Sequence, residues 1–156
     1  MMKRIEETRS SRTEDFMRTV DKAVNVILNS GLDVEKIYLF GSYAYGEPNE
    51  ESDIDLYVVL SDESKPRIRA IDAMEKIGME IFKSDVYNVE VLAGFEGDFL
   101  ARASLPTMEK TVFDKGVTLY ERTAFHSAGL SYPLLYPCPS FLLSITQTRT
   151  SSLSNS

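Results

Sequence analysis

The chain has 156 residues, of which 43% are hydrophobic and 26% charged, and its formal net charge is −7. This length suits a single domain with a modest core. The acidic balance argues against a protein that binds nucleic acid as its primary partner, because such binding needs a basic face. The single cysteine, Cys138, excludes an intramolecular disulfide and a cysteine-based zinc cluster.

Neither end of the chain predicts a membrane or secretory segment. Residues 1–7 include basic side chains but no apolar segment of a signal peptide, and no apolar run has the length of a membrane span. We therefore expect a cytoplasmic protein. Residues 123–156 contain no Asp, Glu or Lys, which predicts a folded domain over 1–122 and an irregular, disordered or loosely attached tail. The alternative for the tail is that residues 141–143 dock on an apolar patch or a partner.

The first predicted element is an amphipathic helix. Ser11 and Glu14 have the spacing of a capping box, and apolar residues then recur at helical spacing until Gly31. Residues 37–40 are apolar without alternation, which predicts a short, buried, central strand.

The following elements predict a small mixed sheet. Ser64 and Pro66 indicate the start of a helix that carries apolar residues as far as Ile81. We further predict strands at 53–60, 86–92 and 117–120, and helices at 98–103 and 107–115, the last ended by Gly116. The short connection between the first two strands makes them antiparallel. The fold class is therefore α+β (mixed α/β), with helices packed on the sheet.

Two features in the first half of the chain indicate nucleotide chemistry. Asp53 and Asp55 project from the same face of a strand, about 6–7 Å apart, and two such charges are costly unless a cation lies between them. Gly41 and Ser42 form a turn that opens into a helix N-terminus, a place that attracts phosphate. A P-loop is excluded, because Glu47 and the proline after it stand where Lys and Ser or Thr are required.

The order Gly-Ser-Tyr-Ala-Tyr-Gly at 41–46 and Ser-Asp-Ile-Asp at 52–55 resembles the nucleotidyltransferase superfamily with a polymerase-β-like palm. In particular, it resembles the minimal nucleotidyltransferases, which occur with HEPN-domain partners in toxin–antitoxin pairs. The resemblance covers residues 36–120. It implies that Asp53 and Asp55 hold two Mg²⁺ ions, which would bridge the phosphates of ATP or another nucleoside triphosphate and activate an attacking hydroxyl. It also implies phosphate binding by Gly41 and Ser42.

The resemblance further implies a third catalytic and metal-binding carboxylate on a later strand. In the family this acid precedes an aromatic residue of the next helix by the interval that separates Glu90 from Phe99. Asp85 lies at the threshold of the predicted strand, and Asp98 has the position of a helix N-cap. We therefore select Glu90, with Asp85 as the alternative.

The implied activity is transfer of AMP from ATP to a hydroxyl of a partner protein, by an antitoxin that modifies a HEPN-type toxin. The acceptor site of so small a domain would be completed by that partner or by a homodimer. The alternative is a non-catalytic module that neutralises the partner by contact. Tyr43 and Tyr45 favour it, because many relatives carry arginine at these positions and tyrosine supplies no positive charge. A Glu at position 90, where the family usually has Asp, favours it too.

Overall fold

The computed structural model describes the backbone of residues 2–123 and the side chains from Ser11 onward. Within that part of the chain the elements are α1 (Met2–Leu28), β1 (Val34–Phe40), α2 (Ser42–Tyr45), β2 (Ile54–Leu60), α3 (Ala70–Lys83), β3 (Val89–Phe95), α4 (Glu96–Ala103), α5 (Met108–Lys115) and β4 (Val117–Glu121). The tail for which we predict an irregular structure lies outside the described residues, apart from Thr123.

The four strands form one mixed sheet in the order β3-β2-β1-β4. β1 is antiparallel to both β2 and β4, whereas β2 is parallel to β3. The parallel pair needs a long crossover, which α3 supplies. The predicted mixed sheet, the antiparallel pairing of β1 with β2, the central position of β1 and the edge position of β4 are confirmed.

Helices α1 and α3 cover one face of the sheet. Val20 and Ile27 of α1 and Ile77 of α3 are completely buried, and they pack in one core with the side chains of β1 and β2 that point to this face. Burying a side chain of this kind contributes roughly 1.5–3 kcal/mol. This layer holds the sheet rigid beneath the opposite face.

The opposite face is covered at one end only. Tyr38, Tyr57, Val59, Phe99 and Val112 form a second buried cluster, in which α4 and α5 pack on the sheet. Because side chains alternate along a strand, the other end of the same face carries the residues that precede Tyr57 on β2.

The first helix begins earlier than the sequence predicts. It starts at Met2, so Ser11 and Glu14 lie in the helix interior and the predicted capping box is wrong. No Gly or Pro interrupts residues 2–28, so the helix continues through the local capping signal. Gly31 follows the helix with φ 79°, as predicted.

The predicted start of the next helix is also wrong. Ser61 rather than Ser64 caps a short 3₁₀ turn, and α3 begins only at Ala70 after the extended residue Arg69. A tertiary contact holds this turn apart from the helix, because the Asp62 carboxylate accepts the Gly97 N–H at 3.1 Å.

Among residues 2–123, no helix is both long enough and apolar enough to cross a membrane.

Candidate active site

Two of the predicted acidic residues meet on neighbouring strands. Asp55 is directly opposite Phe40 of β1 on one side and directly opposite Glu90 of β3 on the other. Neighbouring strands are about 4.8 Å apart, so the side chains of Asp55 and Glu90 lie next to each other on one face. Asp53 lies just before β2, close enough for its charge to act on Asp55.

The neighbouring carboxylates affect the electrostatics of Asp55. Burial raises the pKa of the Asp55 carboxyl, and the negative charges of Glu90 and then Asp53 raise this pKa further. Asp55 is half-buried, whereas Asp53 and Glu90 are exposed. Within the described part of the chain, no three His, Cys, Asp or Glu side chains are already arranged as a metal-ion cluster. The three carboxylates therefore share one end of the sheet without converging on a single point.

The Gly-Ser turn packs directly against Asp55. Gly41 has φ 71° and ψ −157°, a backbone conformation that is essentially restricted to glycine. A Cβ atom at Gly41 would lie 2.1 Å from Oδ2 of Asp55, far inside contact distance. Glycine at this position therefore lets the turn and the carboxylate touch.

A one-turn helix follows Gly41. The N–H groups of Ala44 and Tyr45 donate to the Gly41 carbonyl at 3.1 and 3.0 Å, and Gly46, with φ 92°, closes the turn. The first N–H groups of a helix have no partner within it, so that of Ser42 can donate to a ligand. The predicted phosphate-binding residues thus lie beside the predicted metal-binding ones.

The two tyrosines of this turn have different surroundings. The Tyr43 ring stacks on Phe16 of α1, with a centroid separation of 4.5 Å and an interplanar angle of 13°. Tyr45 is 40% exposed, and burial and then the charge of Asp55 raise the pKa of its hydroxyl, against the effect of the Gly41 backbone. Tyr43 therefore fastens the turn to α1, and Tyr45 lies on the side of the carboxylates. The role of Phe16 was not predicted, since its helical spacing indicates only a core position.

Comparison with known proteins decides the family. Residues 22–124 match the family model "Polymerase beta, Nucleotidyltransferase". The chain belongs to this nucleotidyltransferase family.

Two kinds of relative resemble the nucleotidyltransferase. A Methanocaldococcus jannaschii protein with the name "Putative protein adenylyltransferase" is 38% identical over 82 residues, which cover 47% of this chain and 82% of that protein. Among solved structures, a "putative nucleotidyltransferase" from Sulfolobus solfataricus has a TM-score of 0.48 at 21% identity, covering 67% of this chain and 79% of that one. A chain of a "toxin-antitoxin with AMP-PNP" has a TM-score of 0.46 at 19% identity, covering 85% and 90%.

The two other acidic candidates of the nucleotidyltransferase have different local roles. Asp85 adopts φ 53° in the turn before β3, and its carboxylate accepts the Tyr87 hydroxyl at 3.1 Å. Asp98 lies in the first turn of α4 and pairs with Lys65 at 3.3 Å. The N-cap of α4 is Phe95, so the predicted capping role of Asp98 is wrong. Neither acid is among the charges that raise the pKa of Asp55. Glu90 as the third ligand stays a prediction.

A polar network that the sequence does not predict lies where α4 and α5 pack on the sheet. Glu109 of α5 is only 6% exposed, and its carboxylate accepts a hydrogen bond from Arg102 at 3.1 Å. Burial, and then the charge of Glu109, raise the pKa of Tyr57 to about 12. A Cβ atom at Gly94 would lie 2.6 Å from the Tyr57 hydroxyl. The network therefore connects α4 and α5 to the strand that carries Asp55. The sequence carries no signal for it, because Glu109 looks like any surface residue of a helix.

Proposed function

We propose that this nucleotidyltransferase uses two Mg²⁺ ions to transfer AMP from ATP to a hydroxyl of a partner protein, with release of pyrophosphate. The observation that carries the proposal is the placement of Asp55 between the Gly41 turn and Glu90. The family match supports nucleotidyl transfer, and the name of the Methanocaldococcus jannaschii relative supports AMP and a protein acceptor.

The donor set fits a divalent metal ion. Asp53, Asp55 and Glu90 supply carboxylate oxygens, the ligands that Mg²⁺ prefers over imidazole or thiolate. Burial, and then repulsion from Glu90 and Asp53, raise the pKa of Asp55, and a bound cation would relieve the repulsion. When bound, the ions would neutralise triphosphate charge and lower the pKa of the acceptor hydroxyl.

The residues of the turn would hold the triphosphate. Gly41 keeps the backbone against Asp55, and Ser42 offers its N–H and hydroxyl to phosphate oxygens. Attack in line on the α-phosphorus then depends on positioning and on stabilisation of charge rather than on a covalent intermediate. Glu90 is longer than aspartate by one methylene, so the carboxylate that would bind the metal ion lies further from the β3 backbone.

The proposal also includes the identity of the acceptor protein, the role of this chain and its location in the cell. The likeness of residues 41–46 and 52–55 to the minimal nucleotidyltransferases favours a HEPN-type toxin as acceptor and an antitoxin role for this chain. Residues 1–122 would form the transferase domain, with the acceptor site completed by the partner or by a second copy. The near absence of cysteine favours a cytoplasmic location.

A second candidate function is neutralisation of the partner by contact without transfer. The stacking of Tyr43 on Phe16 favours it, because the position that holds arginine in many relatives is here occupied by a packed aromatic ring.

Labelled ATP separates the two functions. The full-length protein is incubated with ATP labelled at the α-phosphate, Mg²⁺ and the proposed HEPN-type partner protein. Transfer predicts label on that protein, lost on Asp53→Asn and on Asp55→Asn. Asp114→Asn is the matched control, since Asp114 is an exposed residue of α5 paired with Lys110. Neutralisation that survives the double substitution of Asp53 and Asp55 would exclude the enzymatic account.

A further inference from the structure

The outer edge of β3 is open within the described residues, because β3 is the terminal strand of the sheet. The Ile54 N–H donates to the Asn88 carbonyl at 2.8 Å, and the parallel register continues regularly along β3. Alternate residues of a parallel strand direct both backbone groups to the same neighbour. The backbone groups of Val89, Val91 and Ala93 therefore point outward, away from β2.

A groove runs along this edge. Four consecutive residues of β3, from Leu92 to Phe95, line a cavity of about 240 Å³, together with Ala70 and Met74 of α3 on one side and Phe99 and Met108 on the other. Consecutive residues of a strand point to opposite faces, so a cavity that touches all of them follows the strand edge. Its walls are largely apolar.

Glu90 is the one charged residue of Val89–Phe95, and β3 has few other features that protect an edge strand. Proteins commonly protect an edge strand with proline, lysine or a bulge. The strand reads Val-Glu-Val-Leu-Ala-Gly-Phe and its register shows no irregularity. An open, regular edge of this kind is a template for an added strand.

The groove starts two residues beyond Glu90 on the same strand, and Glu90 is opposite Asp55 of the candidate active site. A strand added to β3 would run about 4.8 Å from it. A side chain of that strand opposite Glu90 would reach the carboxylates. We infer that the edge of β3 binds an extended segment of the acceptor protein by strand addition and so presents its hydroxyl for transfer. This inference rests on the proposed function for what is transferred.

Charge favours a basic segment. The site end of the groove carries Asp53, Asp55 and Glu90, whereas the two carboxylates that line the groove are paired, Asp98 with Lys65 and Glu109 with Arg102. Carboxylates therefore outnumber cations along the path of the added strand. Residues 124–156 contain one arginine and no lysine, so charge favours a basic partner segment over the chain's own tail as the occupant.

The binding test uses a short synthetic peptide of alternating valine and threonine with a central tyrosine and lysines at both ends. Two versions carry N-methyl groups on alternate residues, one on each edge of the peptide. With the ¹⁵N-labelled full chain, we expect saturable shifts and exchange protection of the Val89, Val91 and Ala93 amides. One methylated version should bind at least about tenfold more weakly, and the other like the parent, since only one edge donates to β3.

Three results would overturn the inference. The first is equal binding of both methylated peptides, and the second is the absence of shifts at the three amides. The third is protection of these amides from exchange before peptide is added, which would assign the edge to residues 124–156 or to a second copy of the chain.

A pair of variants tests the consequence for transfer. Ala93→Pro removes an outward N–H, whereas Ala93→Ser keeps it at a similar size. We expect KM for the peptide to rise about tenfold in the proline variant only, with unchanged ATP binding as evidence of folding. Equal transfer by both variants would refute strand addition and leave the proposed function intact. A peptide that binds the edge but receives no AMP would refute the proposed function and leave the edge as a binding site.

Discussion

Replacing Gly41 by alanine tests how closely the turn and the Asp55 carboxylate depend on each other. The added methyl group would meet Oδ2 of Asp55 at 2.1 Å, where ordinary contact begins at 3.4 Å. The carboxylate oxygen would therefore have to move by about 1.3 Å, the difference between these two distances.

The expected loss of stability has two parts. Holding alanine at φ 71° and ψ −157° costs about 1–3 kcal/mol. Displacing the Asp55 side chain from its rotamer adds about 0.5–1.5 kcal/mol. We therefore expect the free energy of unfolding to fall by about 1.5–4.5 kcal/mol, or the Tm by roughly 6–18 °C for a domain of this size. Metal ligation tolerates errors of only about 0.2 Å, so Mn²⁺ affinity and AMP transfer should fall as well.

Gly78→Ala is the matched control. Gly78 lies inside α3, and a Cβ atom there would meet nothing within 4 Å. The same substitution should therefore raise stability by about 0.5–1 kcal/mol and leave Mn²⁺ binding unchanged. The assays are thermal unfolding and Mn²⁺ titration of both variants. Equal stability and equal Mn²⁺ affinity in the two variants would refute the contact between Gly41 and Asp55.

Three further predictions test the site and its supports. Glu90→Gln should lower AMP transfer at least about 100-fold, and Asp85→Asn less than about twofold; the reverse order in a transfer assay would make Asp85 the third acid. Phe16→Ala should lower the free energy of unfolding by about 2 kcal/mol and raise KM for ATP, because Tyr43 loses its stacking partner. Phe16→Tyr keeps an aromatic ring and should leave both quantities unchanged, as unfolding and kinetic assays would show. The fold raises the pKa of Tyr57 from 10 to about 12, so it favours the neutral hydroxyl. This preference contributes roughly 2–3 kcal/mol to the free energy of unfolding below about pH 10, and the contribution is lost as the pH rises through about 12. Alkaline unfolding should therefore be less pH-dependent in Tyr57→Phe, and an identical pH dependence would contradict the burial of this hydroxyl.

The core of the site follows from short-range patterns in the sequence. The alternation of a strand places Asp53 and Asp55 on one face, and the brief connection to Gly41 makes the two strands antiparallel. These features depend on residues that are close along the chain, so a single sequence suffices to predict them. Helix boundaries were less well predicted, since Ser11 and Ser64 look like caps but lie inside α1 and in the loop before α3.

Only the tertiary structure decides which distant residues lie beside Asp55 in the candidate site. The sequence placed Glu90 on a strand, but its position opposite Asp55 depends on the crossover of α3 and on the register of β3 against β2. The stacking of Tyr43 on Phe16 and the burial of Glu109 likewise join elements far apart in the chain. Periodicity and turn chemistry are local properties, whereas strand neighbours and buried charges result from packing energies summed over the whole domain.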